Sequence, residues 1–389
     1  MTAPKATLRI LHVARRFAPL LGGTERYVHD LARAQVKAGH QVSVFTLDRD
    51  VVGVQRGRLR ATEVVEGIRV IRIPGIGNRR AAVTFRPDAL LRAMRTSDVV
   101  HLHDIRFAFA TASVAARLFR RPLIFHTHGL IFHTRWALNL KRLAVRRIFG
   151  PLLQFSSAQV IADSEPDRDI LLALAPYLAG RTRVLQDAID ITDLLKVTRR
   201  PIPGLVVSLG RIAASKGLDR LIRALAIIDT SSPWRLHLAG PGDPREVDRL
   251  HRLIGELQVD GQVDISGPYP PAGELEILAE AGAAAFPSPG EGFGLALLEA
   301  MAAGVPVVAH DIPAHRGLLG PGLTDRLTDF DDAASAAAAI GRLLDGSPEL
   351  LASIVTRERA RAREFGIDRL MRQIDELYGE LRIRSSGGS

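Results

Sequence analysis

The chain has 389 residues, 47% apolar and 24% charged, which is long and apolar enough for two domains with separate cores and excludes an extended disordered chain. Cysteine is absent, which excludes a disulfide framework and thiolate metal sites. No run reaches the roughly 18 apolar residues of a membrane span, and the first residues lack the apolar segment of a secretory signal, so a cytoplasmic, soluble or peripheral protein is expected. The formal net charge is +10, with the basic excess in the first 190 residues and a slight acidic excess after them, a distribution suited to nucleic acid, anionic lipid or a diphosphate-bearing substrate on one side only.

Residues 8–14 are a continuous apolar strand run, followed by RRFAPLLGG and an amphipathic helix over 24–38 that stops at Gly39. This is the opening strand–loop–helix unit of a doubly wound sheet. Gly22 and Gly23 stand at the helix entrance, where missing side chains let an anion approach backbone N–H groups, although the same pair also serves as a plain flexible turn. No G-x-G-x-x-G follows, so a nicotinamide or flavin fold lacks its usual support. Strands over 41–47, 68–73, 98–104, 122–128 and 159–162 then alternate with helices or loops, the pattern of a parallel sheet covered on both faces.

Two of these strands end in His-x-His pairs, His101/His103 and His126/His128, with His133 beyond. Alternation puts each pair on one sheet face, which raises a metal site; neither cysteine nor H-E-x-x-H accompanies them, and a ligand crevice at the carboxyl edge of the sheet is the stronger reading. Over 135–155 the sequence RWALNLKRLAVRRIFGPLLQF interleaves Leu138, Leu140, Val145, Ile148 and Phe149 with Lys141, Arg142, Arg146 and Arg147 at helical spacing. Such a helix covers core or lies on an anionic membrane, and with Arg79 and Arg80 it forms a candidate docking surface. Ser164 is placed to cap a helix that tolerates Pro166 in its first turn.

Residues 198–204, TRRPIPG, carry two prolines and a glycine without periodicity and read as a linker. A second alternating series follows: strands over 205–210, 235–239 and 263–266, and helices over 218–228, 244–257 and 274–281. Arg211 and Lys216 lie five residues apart on its first strand-to-helix loop, where a planar guanidinium fork and an ammonium can bracket a diphosphate. Gly240 and Gly242 form a turn at the next strand end. The stretch 286–306, FPSPGEGFGLALLEAMAAGVP, reads as strand end, glycine loop and apolar helix over 295–303 closed by Gly304. Glu291 precedes that helix and Glu299 lies one turn inside it. A carboxylate accepts hydrogen bonds from vicinal hydroxyls while loop N–H groups bind other oxygens; taken alone, Glu299 reads equally as a favourable charge at a helix start. Helices over 333–344, 348–364 and 367–381 complete the chain, with a disordered tail expected at 385–389.

Together these stretches resemble the family 4 retaining glycosyltransferases. GGTER looks like the family's GGxE, Thr127-His128-Gly129 like its THG, GRIAASKG like its GR-x4-KG, and EGFG with Glu291 and Glu299 like its Glu-x7-Glu signature, in family order from Gly22 to Pro306. The resemblance implies the α/β GT-B fold, two Rossmann-like doubly wound domains: an acceptor domain over 1–197, the linker 198–204, a nucleotide-sugar domain over 205–366 and a last helix over 367–384 crossing back. It implies Gly22 and Gly23 beside the donor diphosphate and acceptor, His128 near the reacting sugar, and Arg211 and Lys216 on the diphosphate. Glu291 with the backbone of Phe293, Gly294 and Leu295 would hold the hexose, and Glu299 the ribose. The catalytic set is then His128, Arg211, Lys216 and Glu291, with no metal and no cofactor beyond the nucleotide sugar. Gln186-Asp187-Ala188 departs from the family's N-G-V/I-D.

A narrower likeness, carried by RRFAPLLGGTER, TLDRD, DVVHLHDIRF, THGLIFHT and DIPAH, is to mannosyltransferases that extend lipid-linked oligosaccharides in bacterial exopolysaccharide assembly of the xanthan or acetan type. It implies GDP-mannose as donor, a cellobiosyl-diphosphopolyprenol-like acceptor, an α-1,3 linkage and a place on the inner face of the cell membrane. The same fold with UDP-glucose or another donor is the alternative. A non-catalytic sugar or nucleic-acid binder would use the basic half, but aromatics are only 5% and do not interleave with its basic residues, so no nucleic acid is expected. An epimerase or phosphorylase would need other site chemistry, and no lysine motif points to pyridoxal.

Overall fold

The computed structural model describes residues 7–19, 23–48, 59–74, 76–77, 82–83, 87–128, 138–229 and 233–386. Gly22, Arg79, Arg80, Gly129, His133 and 387–389, all named above, lie outside the described residues. Two compact units result: Met1–Ile189 with Ile367–Ser389, and Asp190–Gly366.

In the first unit the chain runs through β1 (Arg9–Val13), β2 (Gln41–Leu47), β3 (Thr62–Val65) and β4 (Ile68–Ile73), a small antiparallel pair β5 (Ile76–Gly77) and β6 (Ala82–Val83), then β7 (Val99–Leu102), β8 (Leu123–His126), β9 (Gln159–Ala162) and β10 (Thr182–Val184). One sheet of order β10-β9-β8-β7-β1-β2-β4-β3 results, parallel except where β3 pairs antiparallel with β4. Alternation along these apolar strands feeds two cores. Leu11, Val13, Val100, Leu102 and Phe125 enter one; Ile10, Val44, Val99 and Ile124 enter the other, which is roofed by Tyr27 and Leu31 of the helix Gly23–Lys37 and by Leu370, Ile374 and Tyr378 of the helix Ile367–Ser386.

The basic stretch is not one uniform helix. It comprises Leu138–Ala144, a π-helical turn Val145–Phe149 and Gly150–Phe155, because Pro151 has no N–H to return to the carbonyl four residues back and the ladder must widen there. Ser164 caps the helix Glu165–Leu174 as expected, its hydroxyl accepting from Asp167 N at 3.3 Å. That last helix, Ile367–Ser386, includes Ser385 and Ser386 of the stretch read as a tail.

The second unit holds β11 (Leu205–Leu209), β12 (Arg235–Ala239), β13 (Val263–Ser266), β14 (Ala283–Phe286), β15 (Val307–His310) and β16 (Leu327–Thr328) in a parallel sheet of order β13-β12-β11-β14-β15-β16. Within 198–204, Arg200 N and Ile202 N bond to the carbonyls of Ala279 and Glu280 at 2.8 Å each, and the Arg199 guanidinium donates to Leu278 and Ala281 carbonyls at the end of the helix Pro271–Glu280. Among the described residues no helix is long and apolar enough to cross a membrane.

Candidate active site

In the second unit, glycines bring three loops together at the carboxyl edge of the sheet. A Cβ on Gly240 (φ 146°) would stand 2.0 Å from Gly210 O, so the turns after β12 and β11 touch backbone to backbone. A Cβ on Gly217 (φ 63°) would stand 2.6 Å from Pro287 O, which presses the loop carrying Arg211 and Lys216 onto the loop after β14. That contact delivers Lys216 to Glu291: Nζ and Oε1 are 2.6 Å apart. Burial raises the Glu291 carboxyl, but the charge and hydrogen bond of Lys216, with Ser288 and His315, outweigh it and hold the group below the usual carboxylate range. Glu291 is therefore ionised at neutral pH.

His315 closes the same corner. Burial pushes its pKa down, and Nδ1 lies 2.8 Å from His310 O, so a neutral ring donates through Nδ1–H. Its Cδ2 edge lies against Gly294 (φ 98°), where a Cβ would come within 3.2 Å. Gly294 starts the helix Leu295–Ala303 and Gly304 (φ 78°) ends it, as read from the sequence. The first i to i−4 bond there is Leu298 N to Gly294 O, so the N–H groups of Leu295, Ala296 and Leu297 have no helical partner. Glu299 is buried one turn on, on the same helix face as Leu295. Phe293 packs edge-on against Phe365 at 5.5 Å. Arg211 is exposed, and no described side chain pairs with its guanidinium. Sequence reasoning assigned Lys216 to a diphosphate and Glu291 to a sugar; the structure joins them to each other.

The first unit holds His128 in a buried array. Register pairs His12 with His101 across β1 and β7, and all five rings of His12, His101, His103, His126 and His128 lie on the sheet face beneath Tyr27. His12 Nε2 bonds Gln35 Oε1 at 2.6 Å, His12 Nδ1 bonds His103 Nε2 at 2.9 Å, and His103 Nδ1 bonds His128 Nε2 at 3.0 Å. Gln35 in turn donates to Tyr378 of the last helix at 2.9 Å. Because Gln35 Oε1 can only accept, each ring passes on its Nε2 proton, and His128 is left with Nδ1 directed at Asp187, 3.8 Å away. Burial drops His12 to about 4 and His126 to about 3, and burial with their neighbours' charges drops His101 and His103 well below the usual imidazole value, so these four rings are neutral. Burial, then Asp163 and Asp167, push Asp187 well above the carboxylate range.

His126 Nε2 sits 2.7 Å from Asp163 Oδ1 and 3.6 Å from Asp187 Oδ1, and ligand-type atoms of His126, His128, Asp163 and Asp187 fall within 4.8 Å of one another. Two ligands of one tetrahedral ion, each about 2.0–2.2 Å from it, stand about 3.4 Å apart. At 2.7 Å the first pair is instead a hydrogen bond. His12, Tyr27, Gln35, Asp163 and Asp187 were not among the predicted site residues. Period-2 spacing puts His12 on its face, but only strand register brings it to His103.

Two family profiles divide the chain: Glycosyltransferase Family 4 over residues 21–193 and Glycosyl transferases group 1 over residues 195–361. The GDP-mannose:cellobiosyl-diphosphopolyprenol alpha-mannosyltransferase of Xanthomonas campestris is 32% identical over 313 residues, 79% of each chain. Its namesake in Komagataeibacter xylinus is 28% identical over 386 residues, 97% of this chain and 95% of that one. The glycogen synthase of Mycobacterium tuberculosis is 30% identical over 371 residues, 87% and 86% of the two. Among solved structures, HepE of Anabaena in complex with UDP and glucose superposes with a TM-score of 0.74 at 20% identity, covering 96% of this chain and all of that one. Sucrose-phosphate synthase from Thermosynechococcus elongatus gives 0.73 at 21%, covering 97% and 100%.

Proposed function

Because the chain belongs to glycosyltransferase family 4 and its neighbours in structure share the two-domain GT-B fold, we propose that it moves mannose from GDP-mannose to a lipid-diphosphate-linked oligosaccharide, with retention at the anomeric carbon, as a step of exopolysaccharide assembly. The observation that carries this reading is the 2.6 Å Lys216–Glu291 pair, with Arg211 beside it in the chain, on glycine-shaped loops at one sheet edge. An ammonium has three donors, so Lys216 keeps Glu291 and still binds a donor diphosphate together with Arg211. As the glycosidic bond breaks, charge grows on the departing phosphate and these cations stabilise that state more than the ground state. No metal is required for this role. Glu291 and the N–H groups at Phe293, Gly294 and Leu295 accept and donate to the hexose, and Glu299 binds the ribose. A retaining route in which the departing phosphate takes the acceptor proton needs no enzyme nucleophile. His128 lies by the sugar in this reading, its ring oriented by His103 and Asp187.

The mannosyltransferase relatives favour mannose and a diphosphopolyprenol acceptor. The runner-up is a glucosyl donor, favoured by the glycogen synthase relative and by the UDP-glucose complex of HepE. A panel of nucleotide sugars with lipid-diphosphate saccharides, read by product mass and anomeric configuration, decides between them. GDP-mannose is expected to give one added hexose in α-linkage; transfer from UDP-glucose alone refutes the mannosyl assignment, and an inverted product refutes retention.

Docking on the anionic inner face of the membrane completes the proposal. The segment 138–155 buries Val145, Gly150 and Leu153 yet exposes Leu140, Leu143, Ile148 and Phe155 among the exposed Arg142, Arg146 and Arg147, with Lys141 half-buried, the mixture that seats a helix in lipid headgroups. Arg79 and Arg80 are assigned to the same surface from sequence. Sedimentation with anionic vesicles is expected to fall with salt and on replacing these arginines; equal sedimentation by neutral vesicles would remove the idea.

A further inference from the structure

The strand order of the first sheet reverses at β1. β2, β4 and β3 extend to one side of it and β7 to β10 to the other. A crevice therefore opens outside the carboxyl ends of β1 and β7, the position where ligands enter sheets of this type. β1 runs into Arg15 and Arg16 there, β7 into Asp104 and Arg106, and the helix Gly23–Lys37 adds Glu25 in its first turn.

These five residues are ordered by ion pairs. Arg15, only 8% exposed, places Nε 3.3 Å from Asp104 Oδ2. Arg106 donates from Nε and Nη2 to the two Asp104 oxygens at 2.9 Å each. Arg16 Nε lies 2.5 Å from Glu25 Oε1. Burial alone would raise Asp104, but Arg106 and Arg15 hold it below its ordinary range, so it is ionised. Burial, with the charges of Arg106 and Arg16, holds Arg15 below its ordinary value even beside Asp104. Beneath the loop, Arg72 donates to Ala18 O at 2.6 Å and fixes its path. Three guanidinium groups face two carboxylates, which leaves one positive charge in surplus at the start of a helix whose own dipole adds to it. The cluster grades from buried Arg15 to Arg106, whose side chain is 44% exposed, so outer N–H groups remain accessible to solvent.

We propose that Arg15, Arg16 and Arg106 form the site for the diphosphate of the acceptor, a lipid diphosphate ester, with Asp104 and Glu25 holding the guanidinium planes in place. The proposal rests on the acceptor class given above. Arg211 and Lys216 account for the donor's diphosphate in the other unit, and nothing assigned so far recognises the second diphosphate such a reaction brings. Planar forks suit phosphate oxygens bidentately, and burial strengthens each contact.

The test uses a short-chain alkyl diphosphate without sugar, in calorimetry, and two acceptors bearing the same disaccharide, one on an alkyl diphosphate and one on a plain alkyl chain, in rate measurements. In R16Q/R106Q the alkyl diphosphate is expected to bind at least tenfold more weakly and the KM of the diphosphate acceptor to rise at least tenfold, with the KM of the plain acceptor changed less than twofold. Undiminished alkyl diphosphate binding, or equal losses with both acceptors, overturns the site. A matching rise in the Kd of the donor nucleotide also overturns it, by moving these arginines to the donor. R106Q alone, at the exposed rim, is expected to shift the same quantities about threefold and covers the case in which the double variant does not fold. Intact alkyl diphosphate binding without transfer to any lipid-diphosphate acceptor would refute the acceptor proposed above while leaving this site standing.

Discussion

Both units build their chemistry at the carboxyl edge of a parallel sheet, and they load it with opposite electrostatics. The second unit sets ionised groups on loops: Lys216 and Glu291 paired, Arg211 exposed, each placed by a glycine whose missing side chain lets two backbones meet. The first unit packs neutral imidazoles into its core, where His12, His103 and His128 are bonded to one another between the sheet and two helices. Loop charges can change without unfolding their unit. Core histidines cannot, because their protonation and the stability of the unit are linked.

That contrast breaks or holds first in acid. His12, His101, His103 and His126 have folded pKa values well below 6.5, so the unfolded first unit takes up four protons that the folded one refuses, and stability is lost as pH falls below 6.5. Asp187 acts in the opposite sense, since it keeps a proton when folded and loses it on unfolding. Four histidines against one carboxyl leave the first unit with a net loss of stability as pH falls from about 6.5 towards 4.5. In the second unit, Glu358, raised to about 8 by burial, and His315, lowered by burial, act in opposite senses over that range. Segment-resolved hydrogen exchange across this range is expected to show β1, β7 and β8 losing protection well before β11 and β14; parallel loss would break the contrast.

The next largest effect belongs to the loops. Lys216→Ala is expected to lower kcat about 100-fold or more at saturating donor while leaving the melting temperature nearly unchanged; near-wild-type turnover would remove Lys216 from its role. Glu299→Ala is expected to weaken free nucleotide about tenfold in calorimetry, and unchanged binding would return that residue to a structural role. The smallest effect sharpens the view of the first unit. Asp187→Asn is expected to change stability by less than about 1 kcal/mol at pH 6, because burial beside Asp163 and Asp167 already favours the uncharged carboxyl there. A loss of about 3 kcal/mol or more would mean an ionised pair with His128 or His126 instead.

The same contrast governs what could be read from the chain. Arg211, Lys216, Glu291 and Glu299 sit in two short contiguous motifs, so local sequence was enough to propose them, and Gly294 and Gly304 mark the ends of one helix because each needs a positive φ. The pairing of Lys216 with Glu291 spans 75 residues and depends on Gly217 meeting Pro287. In the first unit His128 was visible through its motif, but Gln35, Tyr378 and Asp187 reach the array only through strand register, helix packing and a loop that departs from the family pattern. The polar edge strand Thr62–Val65 carried too weak an alternation to be noticed, and Pro151 split a basic stretch whose composition reads as one helix.

The helix Ile367–Ser386 has a consequence for biosynthesis. It supplies Leu370, Ile374, Leu377 and Tyr378 to the core that β1 begins, so on the ribosome the portion translated first is finished last. The second unit, contiguous from Asp190 to Gly366, can fold as it emerges, whereas the earlier sheet must wait with an uncovered apolar face until the helix Ile367–Ser386 has been made. Chaperone demand should therefore concentrate on that waiting face.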